Sequence, residues 1–332
     1  MLTQVFDVHG VRVKASVDSA PIAQRLRAIL GPFETDGSPT CDFAIAIHHA
    51  TDAFADQVPP GMKEHWRGPL PDGTPAVGYR DASTREILLP GLARLRLTPH
   101  EADIRVAPDA DWCLNLGCIL PALCAFLARR GHHVIHAATL SQHTGDTPRA
   151  LLLCGDSGRG KTTTALALAH AGMQLLTDDA TFLHTSPDAT DALEVWGLPR
   201  PCKVHRHTVE LMPWLRAHCH GAPTADDEHM VELAALAGSG ALELAEPAAL
   251  LFLKPRNPHA HRLEPIDKVQ AISRLANANL RAPDPRAQGP AGDAFRALTT
   301  LVRHTSTHLL SVGPNLHSLA HTLRPLLLAH AE

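Results

Sequence analysis

The chain has 332 residues, 45% of them apolar, and a formal net charge of −4 with a pI near 6.6. That length holds one large or two modest domains around a sizeable core. No basic stripe appears, which argues against nucleic acid or an anionic membrane as partner.

The N-terminus, Met1 to Asp7, lacks the basic start and apolar run of a signal peptide. The best apolar stretch, Leu114 to Leu127, is too short to span a bilayer. The seven cysteines, at 41, 113, 118, 124, 154, 202 and 219, contain no C-x-x-C. That is the usage of a reducing compartment, so a soluble cytoplasmic protein is expected. Histidine is abundant at 23 residues, with pairs such as His48-His49 and His132-His133. Adjacent strand histidines point to opposite faces, and a metal site needs ligands converging from separate elements, so these pairs do not argue for one.

In chain order, residues 2–17 read as a hairpin turning at Gly10, and Pro21 to Leu30 as a short helix stopped by Gly31. Asp42 to His48 is strand-like, and the Pro-, Gly- and charge-rich residues 53–75 read as a loop. Short strands follow at 77–79, 86–89, 94–97 and 103–106, making the section up to residue 130 mostly antiparallel β. Leu114 to Arg130 is an apolar helix ending at Gly131, with Arg129 and Arg130 in its last turn. Val134 to Leu140 is a strand carrying His136, and residues 141–148 form a turn.

The next stretch dominates the chain. Ala150 to Cys154 is an apolar strand, and Lys161 to Ala171 an alanine- and leucine-rich helix. Between them Gly155, Gly160, Lys161 and Thr162 fit G-x-x-x-x-G-K-(S/T). The glycines permit backbone angles that turn successive N–H groups inward onto phosphate oxygens. The helix N-terminus adds partial positive charge. Lys161 reaches the terminal phosphates and Thr162 offers a hydroxyl to Mg²⁺. A nucleoside triphosphate is therefore expected across Gly155, Asp156, Ser157, Gly158, Arg159, Gly160, Lys161, Thr162 and Thr163.

Met173 to Thr177 then runs into Asp178 and Asp179, a buried strand with carboxylates at its C-terminal end, where ligands lie in an open α/β sheet. Neighbouring strand residues face opposite ways, so one acid can meet Mg²⁺ while the other points elsewhere. Leu193 to Pro201, with Glu194, Gly197 and two prolines, reads as a shaped loop near the site. Residues 216–242 form a polar excursion and 248–253 an apolar strand. A helix is expected over 267–280, a Pro/Gly-rich stretch over 281–291 and a helix over 294–302. A strand over 308–312 and a closing helix over 315–330 complete the chain.

Four stretches here resemble one family: Ile135-His136-Ala137, Gly155 to Thr162, Thr177-Asp178-Asp179, and Leu193-Glu194-Val195-Trp196-Gly197-Leu198. They are similar to the HPr kinase/phosphorylase group of bacterial P-loop serine kinases. They are closer still to its biosynthetic-cluster relatives, the HPr-kinase-like or lasso-peptide kinases. The last stretch is similar to that family's Glu-(Ile/Val)-Arg-Gly-Leu signature, with Trp196 where arginine is usual. The resemblance covers about residues 135–200.

The resemblance implies an α/β fold: a P-loop kinase domain of the HPr kinase/phosphoenolpyruvate carboxykinase type over residues 131–332. A β-rich section over 1–130 precedes it and is a candidate for substrate recognition. It implies transfer of the γ-phosphoryl of ATP, with Mg²⁺, to a Ser or Thr hydroxyl of a peptide or protein. Of the acid pair, one is then a Mg²⁺ partner and one the base, with Asp179 the choice for the base. Glu194 carries over as a further Mg²⁺ or substrate-orienting carboxylate, and His136 as a residue beside the phosphates. Trp196 removes a family cation, which Arg159, Arg200 or Lys203 can replace, and puts a reverse phosphorolytic activity in question. The HPr-type members are hexamers, which admits a homo-oligomer. A small-molecule hydroxyl acceptor and a nucleotide-dependent ATPase or switch are the alternatives.

Overall fold

Alternating burial in the first residues builds a hairpin. Strands β1 (Leu2–Val8) and β2 (Val11–Val17) pair antiparallel, with Phe6, Val8, Val11, Val13 and Val17 buried on one face. His9 and Gly10, at φ 50° and 85°, supply the left-handed pair that a two-residue hairpin turn requires. The structure, a computed structural model, describes residues 1–36, 40–51, 54–70, 72–156, 158–185, 193–198, 200–220, 227–231, 243–280 and 291–328. These divide into one unit, Met1–His132, and a second that runs over His133–Leu280 and continues from Gly292.

In the first unit, Ser19 accepts the Ile22 N–H at 3.4 Å and starts α1 (Ala20–Leu30). Ile22, Leu26 and Ile29 form its buried stripe. The helix carries the chain across, so β3 (Phe43–His49) lies parallel to β2. A meander follows: β4 (Lys63–Pro69), β5 (Pro75–Arg80), β6 (Arg85–Leu89), β7 (Ala93–Leu97) and β8 (Glu101–Val106). The sheet order is β1-β2-β3-β8-β7-β6-β5-β4. The expected antiparallel section is therefore mixed, because β3 is parallel to both its neighbours. The expected loop over 53–75 contains β4, a polar strand with no apolar alternation to reveal it. The expected helix over 114–130 opens as a π-helical turn, Asn115–Ile119, before α2 (Leu120–Ala128).

The second unit is layered. Its strands begin with β9 (His132–His143) and β10 (Pro148–Cys154), followed by helix α3 (Lys161–His170). Then come β11 (Gln174–Thr177), β12 (Ala180–Thr185) and β13 (Leu193–Gly197). A small sheet pairs β14 (Cys202–His205), β16 (Glu228–Val231) and β15 (Cys219–His220), with α4 (Arg206–Leu211) between the first two in sequence. The main sheet is completed by β17 (Glu246–Leu253), β18 (Arg262–Pro265) and β19 (Ser306–Ser311). Helices α5 (Lys268–Asn279), α6 (Ala291–His304) and α7 (Leu319–Leu328) complete the unit.

The main sheet runs β13-β12-β9-β10-β17-β19-β18, with β11 also on β9, and β10, β17 and β19 are mutually parallel. Alternate residues of β10 face opposite layers. Leu151 and Leu153 pack with α3 and α7, while Leu152 and Cys154 pack with α5 and α6. Two helical layers on one sheet make this unit mixed α/β.

The expected loop over 193–201 begins as β13, since Val195 and Trp196 are core residues. Within the polar excursion over 216–242, β15 and β16 are formed, while 221–226 and 232–242 lie outside the described residues. So do 281–290 of the Pro/Gly-rich stretch and 329–330 of the expected last helix. All seven cysteines are free thiols. No helix among the described residues is long and apolar enough to cross a membrane.

Candidate functional site

Strand β9 is the ruler of the site. Both β10 and β11 pair with it antiparallel, one on each side, so β10 and β11 run the same way and end at the same edge. Cys154 sits opposite Ala137, and Thr177 opposite Thr139. The glycine-rich loop that leaves Cys154 and the acid pair that follows Thr177 therefore meet beside His136 on β9.

Two of the loop's glycines take left-handed angles. Gly158 and Gly160 stand at φ 75° and 88°, and Gly160 is the left-handed cap of α3. That cap leaves the first N–H groups of α3, those of Lys161, Thr162 and Thr163, without intrahelical acceptors. Lys161 is 8% exposed. Its Nζ donates to the carbonyls of Gly155 at 2.7 Å and Asp156 at 3.2 Å. Burial lowers its pKa, against the pull of Asp179, Cys154, Asp156 and Asp178. Burial likewise pushes the Cys154 thiol up to about 12, so it stays a protonated core side chain. Arg159 is exposed, with its backbone N–H on Asp156 O at 3.3 Å. The Thr163 hydroxyl is 2.8 Å from that of Thr208 on α4, so what Thr163 can offer a ligand is its backbone N–H. Ser157 lies outside the described residues.

The acid pair occupies the bend between β11 and β12. The Thr177 hydroxyl shapes that bend by accepting the N–H groups of Asp179 at 3.4 Å and Ala180 at 3.2 Å. The Thr162 hydroxyl lies beside Asp178 and favours its charged form. Desolvation first, and Asp179 second, raise the Asp178 pKa to about 7, against the lowering by Arg200 and Thr162. Asp179 points differently. Its Oδ2 accepts from Arg200 at 2.6 Å and its Oδ1 lies 2.5 Å from His136 Nδ1. Its carbonyl accepts from Ala137 N at 3.2 Å. The Arg200 side chain is 14% exposed, so the pair is well shielded. His136 is fixed from behind, where its N–H donates to Asn279 Oδ1 at 2.6 Å at the end of α5. The structure thus brings together Lys161, Thr162, Asp178, Asp179 and His136.

It does not bring Glu194 to that group. Glu194 stands opposite His184 on β12 and lies 3.2 Å from its Nδ1. Two residue pairs of the β12–β13 ladder stand between it and the Thr181–Gly197 pair nearest the acids. Trp196 is fully buried, stacked on Phe182 at 4.3 Å between ring centroids. Asn279 and Thr208 carried no signal in sequence, being single polar residues on unrelated helices. Among the described residues, no three His, Cys, Asp or Glu side chains converge as a cation site.

Two predictions arise here. Gly197 lies where β13 crosses the end of β11, and a Cβ there would fall on the Leu176 carbonyl oxygen and 2.6 Å from Thr177 Cβ. Backbone cannot yield cheaply, so Gly197→Ala should cost about 3 kcal/mol in urea unfolding. An unchanged midpoint would show that β13 is not pressed against β11. The second concerns pH. The folded pKa of Asp178 is raised to about 7, above the 3.8 of a free carboxyl. The native state therefore binds more protons than the unfolded state between those values, and stability falls as pH rises through that window. Relative to Asp178→Asn, the parent chain should lose about 4 °C or more of Tm between pH 4 and pH 7. A difference that is flat with pH would contradict the burial of this carboxyl.

No protein-family model matches the chain, and no curated protein matches it.

Proposed function

We propose that the chain is a Mg²⁺- and ATP-dependent kinase that moves the γ-phosphoryl group to a Ser or Thr hydroxyl of a peptide or protein. One observation carries the reading: pairing on β9 sets the glycine-rich loop after Cys154 beside the acid pair after Thr177, where Asp179 is turned onto Arg200. A hydrolytic switch needs a group that positions water; two carboxylates with separate surroundings suit a metal and a hydroxyl acceptor. The finer fold assignment, a P-loop kinase domain of the HPr kinase/phosphoenolpyruvate carboxykinase type, belongs to the same proposal. The order of strand, glycine-rich loop, helix and acid-ended strand supports it.

Mg²⁺ fits the donor set. Thr162 and Asp178 would hold it, and the raised Asp178 pKa marks a place where negative charge is costly without a cation. Bound there, it supplies positive charge to the β- and γ-phosphate oxygens. The chain's own groups do the rest. Loop and helix N–H groups hold the phosphates, and Lys161 exchanges the Gly155 and Asp156 carbonyls for terminal phosphate oxygens. The acceptor oxygen bonds to the γ-phosphorus as the bond to the β–γ bridging oxygen breaks. Asp179 takes the hydroxyl proton, leaving ADP and a phosphate ester. Arg200 and His136 direct the Asp179 carboxylate.

The test is ATP loss by the purified chain, measured alone, with Ser/Thr peptides, and with small hydroxyl compounds. Slow loss alone that rises strongly with one peptide is the expected result. Acceleration only by a small hydroxyl compound would change the acceptor class. Rapid loss indifferent to every acceptor would contradict a kinase.

A further inference from the structure

The first unit ends its sheet on a row of like charges. Lys63 on β4 stands directly opposite Arg80 on β5, and Arg80 directly opposite Arg85 on β6. Directly opposed residues share one face of a sheet, so three cations line up across three strands, about 5 Å apart. All three are exposed. Arg129, just past the end of α2, and His65 on β4 are both within electrostatic reach of Arg85.

Arg85 has a partner of its own, and among the described residues the acids near Lys63 and Arg80 are engaged elsewhere. Glu64 and Asp56 pair with Arg67, Glu86 with Arg94, and Asp81 accepts the N–H groups of Ser83 and Thr84. Among the described residues, Lys63, Arg80 and Arg129 have no ion pair. Opposed like charges destabilise a sheet, and this row stands on a chain that is acidic overall. A second observation joins it. β4 is the last strand of its sheet among the described residues, so one side of its backbone has no neighbouring strand.

We propose that β4 and this cation row form a docking surface for an extended acidic peptide segment. The segment adds to the outer edge of β4 as a further strand and sets an acidic side chain opposite Lys63. Backbone pairing supplies the register and the cation row the selectivity for acid. A nucleic acid fits less well. The row runs only across three strands, and one indole, that of Trp66 lying over Gly78, gives a single stacking position. The proposal stands apart from the nucleotide reading.

The probe is a fluorescein-labelled peptide of alternating Glu and Thr, about ten residues long, the length of an ordinary strand. Anisotropy with the full chain should show binding that weakens with salt. The Lys63→Ser/Arg80→Ser variant should bind about tenfold more weakly, while Lys14→Ser, an exposed cation on β2, should bind as the parent does. The double variant should melt no lower than the parent, since it removes a repulsion. Methylating alternate backbone nitrogens of the probe, tested on the parent chain, should also weaken binding about tenfold. Equal binding by the methylated probe would overturn strand addition. Equal losses in Lys14→Ser, or no binding at all, would overturn the site. A single-stranded oligonucleotide of the same charge that binds as tightly as the peptide would overturn the assigned partner.

Discussion

Lys161→Ala is expected to lower nucleotide-dependent turnover about a thousandfold. The reason lies in burial. The ammonium is 8% exposed and is drawn between the Gly155 and Asp156 carbonyls on one side and the acids on the other. It is therefore already desolvated where the terminal phosphates are expected, and a phosphate gains more from it than from a lysine in water. The variant should also bind Mg·ATP more weakly in calorimetry. Alanine is a good helix former at this position, so the start of α3 should persist and the melting temperature should hold. Parent-like turnover in Lys161→Ala would place the chemistry elsewhere in the chain.

Asp179→Asn should separate binding from chemistry. The amide keeps an oxygen to accept from Arg200 but cannot take a proton from an acceptor hydroxyl. Transfer should fall about 10³-fold, the scale for loss of a positioned general base. Mg·ATP affinity should change little, because Lys161, Thr162 and Asp178 are left in place. Some stability will go too, since the shielded Arg200 guanidinium loses its ionic partner, at a cost of about 1–3 kcal/mol. Urea unfolding gives that part, and single-turnover transfer at saturating ATP gives the other. Full transfer activity in this variant would remove Asp179 from the base role, whatever its melting temperature.

The parts of this site that were legible in sequence are the local ones. The spacing of Gly155, Gly160, Lys161 and Thr162 encodes a turn geometry, and Gly158 and Gly160 do take the left-handed angles such a turn needs. The run Leu175-Leu176-Thr177 before two acids told of a buried strand ending at its carboxylates, and β11 ends at Thr177. What escaped depends on register between distant strands. Glu194 sits in a motif-like stretch, yet pairing along β12–β13 sets it opposite His184. Trp196, at the place where the resemblance led one to expect a cation, is a core residue packed on Phe182, where an indole fits and a charge would not.

Arg200 was one of three cations named as a replacement. Geometry separates them: Arg200 reaches Asp179, Lys203 pairs with Glu228, and Arg159 is exposed on the loop. Strand β4 escaped for a simpler reason. Its Lys-Glu-His-Trp-Arg-Gly-Pro sequence has no apolar period, and it earns its place by pairing with β5 at the sheet's end.

The most direct measurement is to follow the label of γ-labelled ATP, with Mg²⁺ and the purified chain, into a mixture of Ser/Thr peptides, read by intact mass. The account predicts one added phosphate on a peptide hydroxyl, lost in both Lys161→Ala and Asp179→Asn. Label appearing only as inorganic phosphate, at a rate unchanged by those substitutions, would contradict it.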